Sequence, residues 1–156
     1  MYSIPWYIAI FESIPETFLI IFLGTALFNI FILRIKIFHA SVLSAGASFF
    51  IRLLPLPFGI HTFIGLIVIS CLVWLFGELS WWVAFICTLA GMVCLLVLQS
   101  LMIPVMLPVL GLEYSELAKQ PWLNVFLFIP QGLLMAVAVL FVKSKKVYLY
   151  DLHEKA

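Results

Sequence analysis

The sequence predicts an all-α fold: a polytopic transmembrane helix bundle of about five spans, N-terminus outside and C-terminus inside, forming one domain over residues 1–156. Three observations predict it. Of the residues, 66% are hydrophobic and only 10% charged, whereas soluble domains run at about 45–50% apolar and about 25% charged. Long apolar runs alternate with short breaks of proline, glycine and charge. The basic residues divide unequally between alternate breaks, as the positive-inside rule requires. Five spans of about 20 residues consume about 100 residues, which leaves no room for a soluble catalytic domain or a nucleic-acid module. A net charge of +1 gives no polybasic surface.

The chain starts with an apolar stretch from Tyr2 to Phe11 that is too short to cross and carries Pro5, Trp6 and Tyr7, a composition suited to the headgroup level. The first basic residue is Arg34, beyond the first long apolar run, so no signal-peptide n-region is present and the start is expected to be retained. Ser13-Ile14-Pro15-Glu16 has the form of a capping box, with Ser13 as N-cap and Glu16 folding back. The first span is expected over 14–33, stopping at Arg34 and Lys36.

The second span, 38–54, is the weakest: it is short, contains three serines and ends in Arg52 before Pro55 and Pro57. The third, 58–76, is apolar apart from His61 and Thr62 and closes in the turn Gly77-Glu78-Leu79-Ser80. The fourth, 81–110, is long enough to tilt, and Pro104 and Pro108 predict a kink or an early end. A polar loop over 113–120 precedes the fifth span, 121–142, and a cytoplasmic tail, 143–156.

Charge supports counting the second span as real. With five crossings the inner side holds Arg34, Lys36, Lys143, Lys145, Lys146 and Lys155, and the outer side holds only Arg52 and Lys119. With four, the C-terminal lysines and the Arg34–Lys36 pair would fall on opposite sides. The aromatic residues Trp6, Trp74, Trp81, Trp82, Trp122, Tyr148 and Tyr150 lie near span ends.

Within lipid, small residues mark the faces on which helices meet. Ser41, Ser44, Ala45 and Ser48 form such a stripe in the second span, Ala84, Thr88, Gly91 and Leu95 in the fourth, and Gly132 and Ala136 in the fifth. These describe a compact bundle or a contact between copies of the chain.

No catalytic signature is found. Cys71, Cys87 and Cys94 are odd in number and form no C-x-x-C pair, and His39, His61 and His153 fall on different sides, so neither a metal site nor a cofactor is indicated. There is no H-E-x-x-H and no G-x-S-x-G. The informative charges are those beside the membrane: Glu12, Glu16, Arg52 and His61 gather on the outer side. Glu16, Arg52 and His61 form a candidate ligand site, since two prolines and a glycine make a stiff turn between a cation and an imidazole. The alternative is that Arg52 snorkels, Glu16 caps its helix and His61 begins a span. Asn29, Gln99, Asn124 and Gln131 are expected deeper in the bundle; Gln99 and Gln131 either line a polar path or, for Gln131, satisfy a carbonyl freed by Pro130. Lys143, Lys145 and Lys146 suit contact with an anionic inner surface or a partner, or ordinary anchoring.

Two segments carry a family resemblance. Ser13-Ile14-Pro15-Glu16 opening the first span, and Arg52-Leu53-Leu54-Pro55-Leu56-Pro57-Phe58-Gly59-Ile60-His61-Thr62 before the third, followed by a proline-containing fourth span, resemble the membrane input regions of certain Gram-positive sensor histidine kinases and stand-alone membrane proteins of the same layout. The likeness covers most of the chain. In those kinases a dimerising helix and an ATP-binding domain follow the last span, whereas only a short tail follows Val142 here. The resemblance implies a bacterial plasma-membrane signal-detecting unit that phosphorylates nothing itself and works with a separately encoded kinase-like or regulatory partner; the small-residue stripes also allow a homo-oligomer. A small transporter or the substrate-binding subunit of one is the alternative, although five spans do not divide into two equal repeats.

Overall fold

A computed structural model of the chain describes residues 7, 9–54, 59–111 and 121–151, with the side chains of residues 9, 10, 52, 53 and 121 outside that description. All of its regular structure is helical: a π-helical turn at Ala9–Ser13, then α1 (Ile14–Leu27), α2 (Arg34–Leu53), α3 (Ile60–Gly77), α4 (Trp81–Leu110) and α5 (Pro121–Lys145). Segments within α3, α4 and α5, namely Ile60–Gly77, Trp81–Leu110 and Trp122–Lys145, are long and apolar enough to cross a membrane. Pro55, Pro57, the polar loop over 113–120, His153 and Lys155 lie outside the described residues.

The first helix is shorter than the apolar run that contains it. It ends at Leu27, with 14 residues, about 21 Å at ~1.5 Å per residue, rather than reaching residue 33. The stop is Asn29, which takes the left-handed conformation at φ 57. The Ile30 N–H reaches the Thr25 carbonyl at 2.9 Å and the Asn29 N–H reaches that of Ala26 at 3.3 Å, the pair of reversed bonds that closes a Schellman motif. Asn29 is thus a helix terminator and not an interior polar group. The other end also departs from expectation. Ser13 is right-handed helical and makes no side-chain cap hydrogen bond, because the backbone enters α1 from a π turn in place of a capping box.

Helix α2 starts at Arg34 instead of residue 38, so both basic residues occupy its first turn, where the helix dipole disfavours cations. Each has a compensating contact. Lys36 Nζ lies 2.6 Å from Glu78 Oε1, and the Arg34 guanidinium sits 5.9 Å from the Phe22 ring centre. Helix α4 remains helical through Pro104 and Pro108 and stops at Gly111, whose φ of +67 suits a glycine.

Helix α1 is the hub of the bundle. A Cβ on Gly24 would collide with the Cys87 carbonyl, and one on Gly91 with the Ile20 carbonyl, so the α1 and α4 backbones touch along a two-glycine seam. The small-residue stripes lie on packed faces: Ser41, Ser44, Ala84 and Thr88 are almost wholly buried. Two packed clusters flank α1. One joins Ile21, Ile37, Ile69 and Val83, and the other joins Ile20, Leu23, Leu95, Met135 and Val139.

Candidate functional site

The bundle has two chemically distinct ends. At the first, the π turn, the start of α1, the far part of α2, the start of α3 and the middle of α4 surround a cavity of about 250 Å³. Its polar lining comprises Glu12, Ser13, Glu16, Thr17, Ser48, His61, Thr62 and Gln99; the apolar part includes Ile20, Ile69, Leu95 and Leu96. Gly65 also faces it, and a Cβ there would meet nothing within 4 Å. Local structure explains the convergence. The turn at Ala9–Ser13 carries Glu12 toward the same opening as Glu16, and Gly59 at φ +97 turns the chain into α3 just before His61.

A second cavity of about 60 Å³ adjoins it, lined by Glu12, Gln99, Asn124 and Gln131 together with Ile103, Leu127 and Phe128. Glu12 and Gln99 belong to both walls. Water needs roughly 10–15 Å³ of such space, so both cavities have room for polar contents.

Of the residues singled out from sequence, Glu16 and His61 share the larger cavity, Gln99 borders both, and Gln131, 2% exposed, faces the smaller. The ligand candidates and the interior glutamines thus meet in adjoining spaces. Arg52 follows the cavity-lining Ile51 in α2, and its side chain lies outside the described residues. From sequence, Glu12 groups with the outer-side charges but not with the ligand candidates, Ser48 stands out only as part of a packing stripe and Thr62 only as a break in an apolar run, and Thr17 gives no signal.

Among the described residues, the ionisable groups that line the larger cavity are Glu12, Glu16 and His61. Glu12 and Glu16 are partly buried and each already makes a polar contact; a charge at the centre of a span costs at least about 2.5–3.5 kcal/mol. His61 Nδ1 is buried without a hydrogen-bond partner among the described residues, a condition that costs about 1–3 kcal/mol. Among the described residues no three His, Cys, Asp or Glu side chains converge as a metal site.

The opposite end is basic and holds the tail. The Lys143 ammonium lies 4.0 Å from the centre of the Phe22 ring, which Arg34 also approaches. Lys145 and Lys146 are exposed. Lys146 turns the chain at φ 51, after which the Leu149 N–H donates to the Leu27 carbonyl at 2.8 Å and the Asn29 side-chain amide donates to Asp151 Oδ2 at 3.0 Å. Tyr148 packs on the cluster of Ile20, Leu23, Leu95, Met135 and Val139. Residues 146–151 therefore form a strap across the end of α1. Beside it, Lys36 holds the Glu78 carboxyl below its ordinary range, first by a hydrogen bond and second by its charge.

Compared with family models, curated proteins and solved structures, the chain matches none.

Proposed function

We propose that the chain is a non-catalytic sensor or regulatory protein of the plasma membrane, in which a ligand in the larger cavity alters how the strap sits on α1. Five crossings, with α1 and its π turn as the first and α2 as the second, put the cavity outside and the strap inside. The basic residues Arg34, Lys36, Lys143, Lys145 and Lys146 then lie on the inner side, as the positive-inside rule favours.

One observation carries this reading. Ile20 and Leu95 line the cavity and belong to the same packed cluster that supports Tyr148 of the strap. A ligand that displaces α1 acts on both places, and a few kcal/mol of differential affinity suffices to shift two bundle states. The resemblance to sensor-kinase input regions points the same way, with the released tail offered to a separately encoded kinase-like or regulatory partner.

A cavity-filling variant tests it without any ligand. Gly65→Phe is expected to raise the hydrogen-exchange rate of the Leu149 amide at least several-fold relative to the unaltered protein. An unchanged rate contradicts the reading.

A small transporter, or the substrate-binding subunit of one, is favoured by the sharing of Glu12 and Gln99 between two cavities, which arranges polar groups in series. The two readings separate by mutation. Changes at His61 or Arg52 abolish a signalling response without touching uptake in a sensor, whereas changes at Gln99 or Gln131 impair uptake in a transporter.

A further inference from the structure

Independently of what the larger cavity binds, we propose that the basic end of the bundle holds one anionic phospholipid, its phosphate between Arg34 and Lys143 and an acyl chain along Phe18, Leu19 and Phe22 of α1.

Helix α1 is the hub of the bundle, yet one stripe of it stays uncovered. From residue 17 to residue 26 every residue is buried except Phe18, Leu19 and Phe22, which are half-buried and share one face at helical spacing. The packing explains the opening. Helices α2 and α5 both pack on α1, α2 continues into α3 and α5 into α4, but α2 and α5 make at most marginal contact with each other. At the cavity end the π turn packs on both of them. Toward the basic end the opening is floored by Phe22, which packs against the clusters on either side and has the Phe18 ring 5.7 Å away.

Charge selects the head of the occupant. Arg34 comes from the first turn of α2 and Lys143 from the last turns of α5, one from each wall of the opening. Their charged groups lie 5.9 and 4.0 Å from the centre of the same Phe22 ring, hence within about 10 Å of each other, the range over which charges interact at ~0.1 M salt. Both residues are exposed, and among the described residues neither makes an ion pair or a hydrogen bond. Of the two described carboxylates at this end, Glu78 is paired with Lys36 and Asp151 accepts from Asn29. A phosphodiester answers both cations at once, taking a forked pair of N–H bonds from the guanidinium and one from the ammonium. The start of α2, which has no side-chain cap, adds backbone N–H groups that favour the same charge. Basic pockets between transmembrane helices take anionic headgroups in this way. The apolar stripe leading away from the cations selects a lipid over a free phosphate, which would leave that stripe unfilled.

The test uses the full chain in a neutral maltoside detergent, where no anionic bilayer surface is present. Dioleoyl phosphatidylglycerol and dioleoyl phosphatidylcholine are added in turn, and bound lipid is counted by native mass spectrometry. Phosphatidylglycerol is expected to bind at least tenfold more tightly than phosphatidylcholine, and millimolar inorganic phosphate is expected not to displace it. Arg34→Gln with Lys143→Gln removes the preference, whereas Lys145→Gln with Lys146→Gln changes it less than twofold. Acetylation of the unaltered chain gives a second measurement, in which phosphatidylglycerol slows modification of Lys143 at least fivefold more than that of Lys145. Equal binding of the two lipids overturns the proposal, as does an equal loss in the two double variants, which would show attraction to surface charge in general. Displacement by inorganic phosphate also overturns it, leaving a site for a free anion. So does a Lys143 already protected before lipid is added, which would mean that protein covers the opening. Should Arg34→Gln with Lys143→Gln not fold, the acetylation pattern of the unaltered chain decides.

Discussion

The backbone N–H of Leu149 donates to the carbonyl of Leu27 at 2.8 Å, so a residue beyond the last helix satisfies one of the carbonyls left open at the end of the first. Asn29 has two roles in that contact. Its backbone reverses the chain after α1, and its side chain ties down Asp151. The two roles separate by substitution. Asn29→Gly keeps the left-handed turn and loses only the tie, so exchange at Leu149 is expected to rise while thermal stability changes by no more than one hydrogen bond's net worth, about 0.5–1.5 kcal/mol. Asn29→Ala adds a left-handed penalty of about 1–2 kcal/mol and lowers the melting temperature further. Equal melting temperatures for the two variants would contradict this division of roles.

The seam between α1 and α4 sets a second expectation. A methyl at Gly24 or Gly91 meets a carbonyl of the facing helix, which cannot move aside as a side-chain tip would. Gly24→Ala and Gly91→Ala are each expected to destabilise by about 1–3 kcal/mol, the usual range for overpacking. Gly46 has open space around it, and Gly46→Ala is expected to be neutral or slightly stabilising. Thermal unfolding in detergent checks the contrast, and a neutral Gly24→Ala would contradict the backbone contact.

The ion pair between Lys36 and Glu78 predicts a pH dependence of defined sign. Lys36 lowers the pKa of Glu78 in the folded state, so the pair adds stability above the ordinary carboxylate range and loses it as pH falls through the lowered folded value. Lys36→Gln is therefore expected to melt slightly below the unaltered protein near about pH 7, and the gap is expected to close as pH falls through the lowered folded value. The effect is small because Glu78 is exposed to solvent. A gap that widens on acidification would reverse the assigned sign.

Much of this architecture can be read from residues whose physics is local. The limits of α3 and α4 follow from Gly77, Ser80 and the apolar runs beside them, and α4 runs to Leu110 without the early end that Pro104 and Pro108 suggested. Its prolines stand near the C-terminal end and leave the helix continuous. The end of α1 was hidden because Phe28 and the residues after Asn29 continue the apolar pattern; the signal present was Asn29 itself, a residue that tolerates the left-handed conformation. The beginning of α2 was hidden because its basic residues look like a loop until Glu78 and Phe22 are brought beside them. At the cavity, Glu16 and His61 were identifiable as charges beside apolar spans. Their meeting with Gln99 depends on how α1, α3 and α4 pack, and hydropathy does not record that. The strap left no sequence signal, since its contacts to Leu27, Asn29 and the cluster around Ile20 join residues more than a hundred positions apart.

Sensing across a membrane requires the cavity and the strap to face opposite compartments, and membrane sidedness tests that requirement most directly. In a background with Cys71, Cys87 and Cys94 changed to alanine, Gly59→Cys marks the cavity end and Tyr150→Cys the strap end. An impermeant maleimide applied to intact cells is expected to label the first and to reach the second only after permeabilisation. Labelling of both from outside, or of neither until the membrane is opened, would contradict the account.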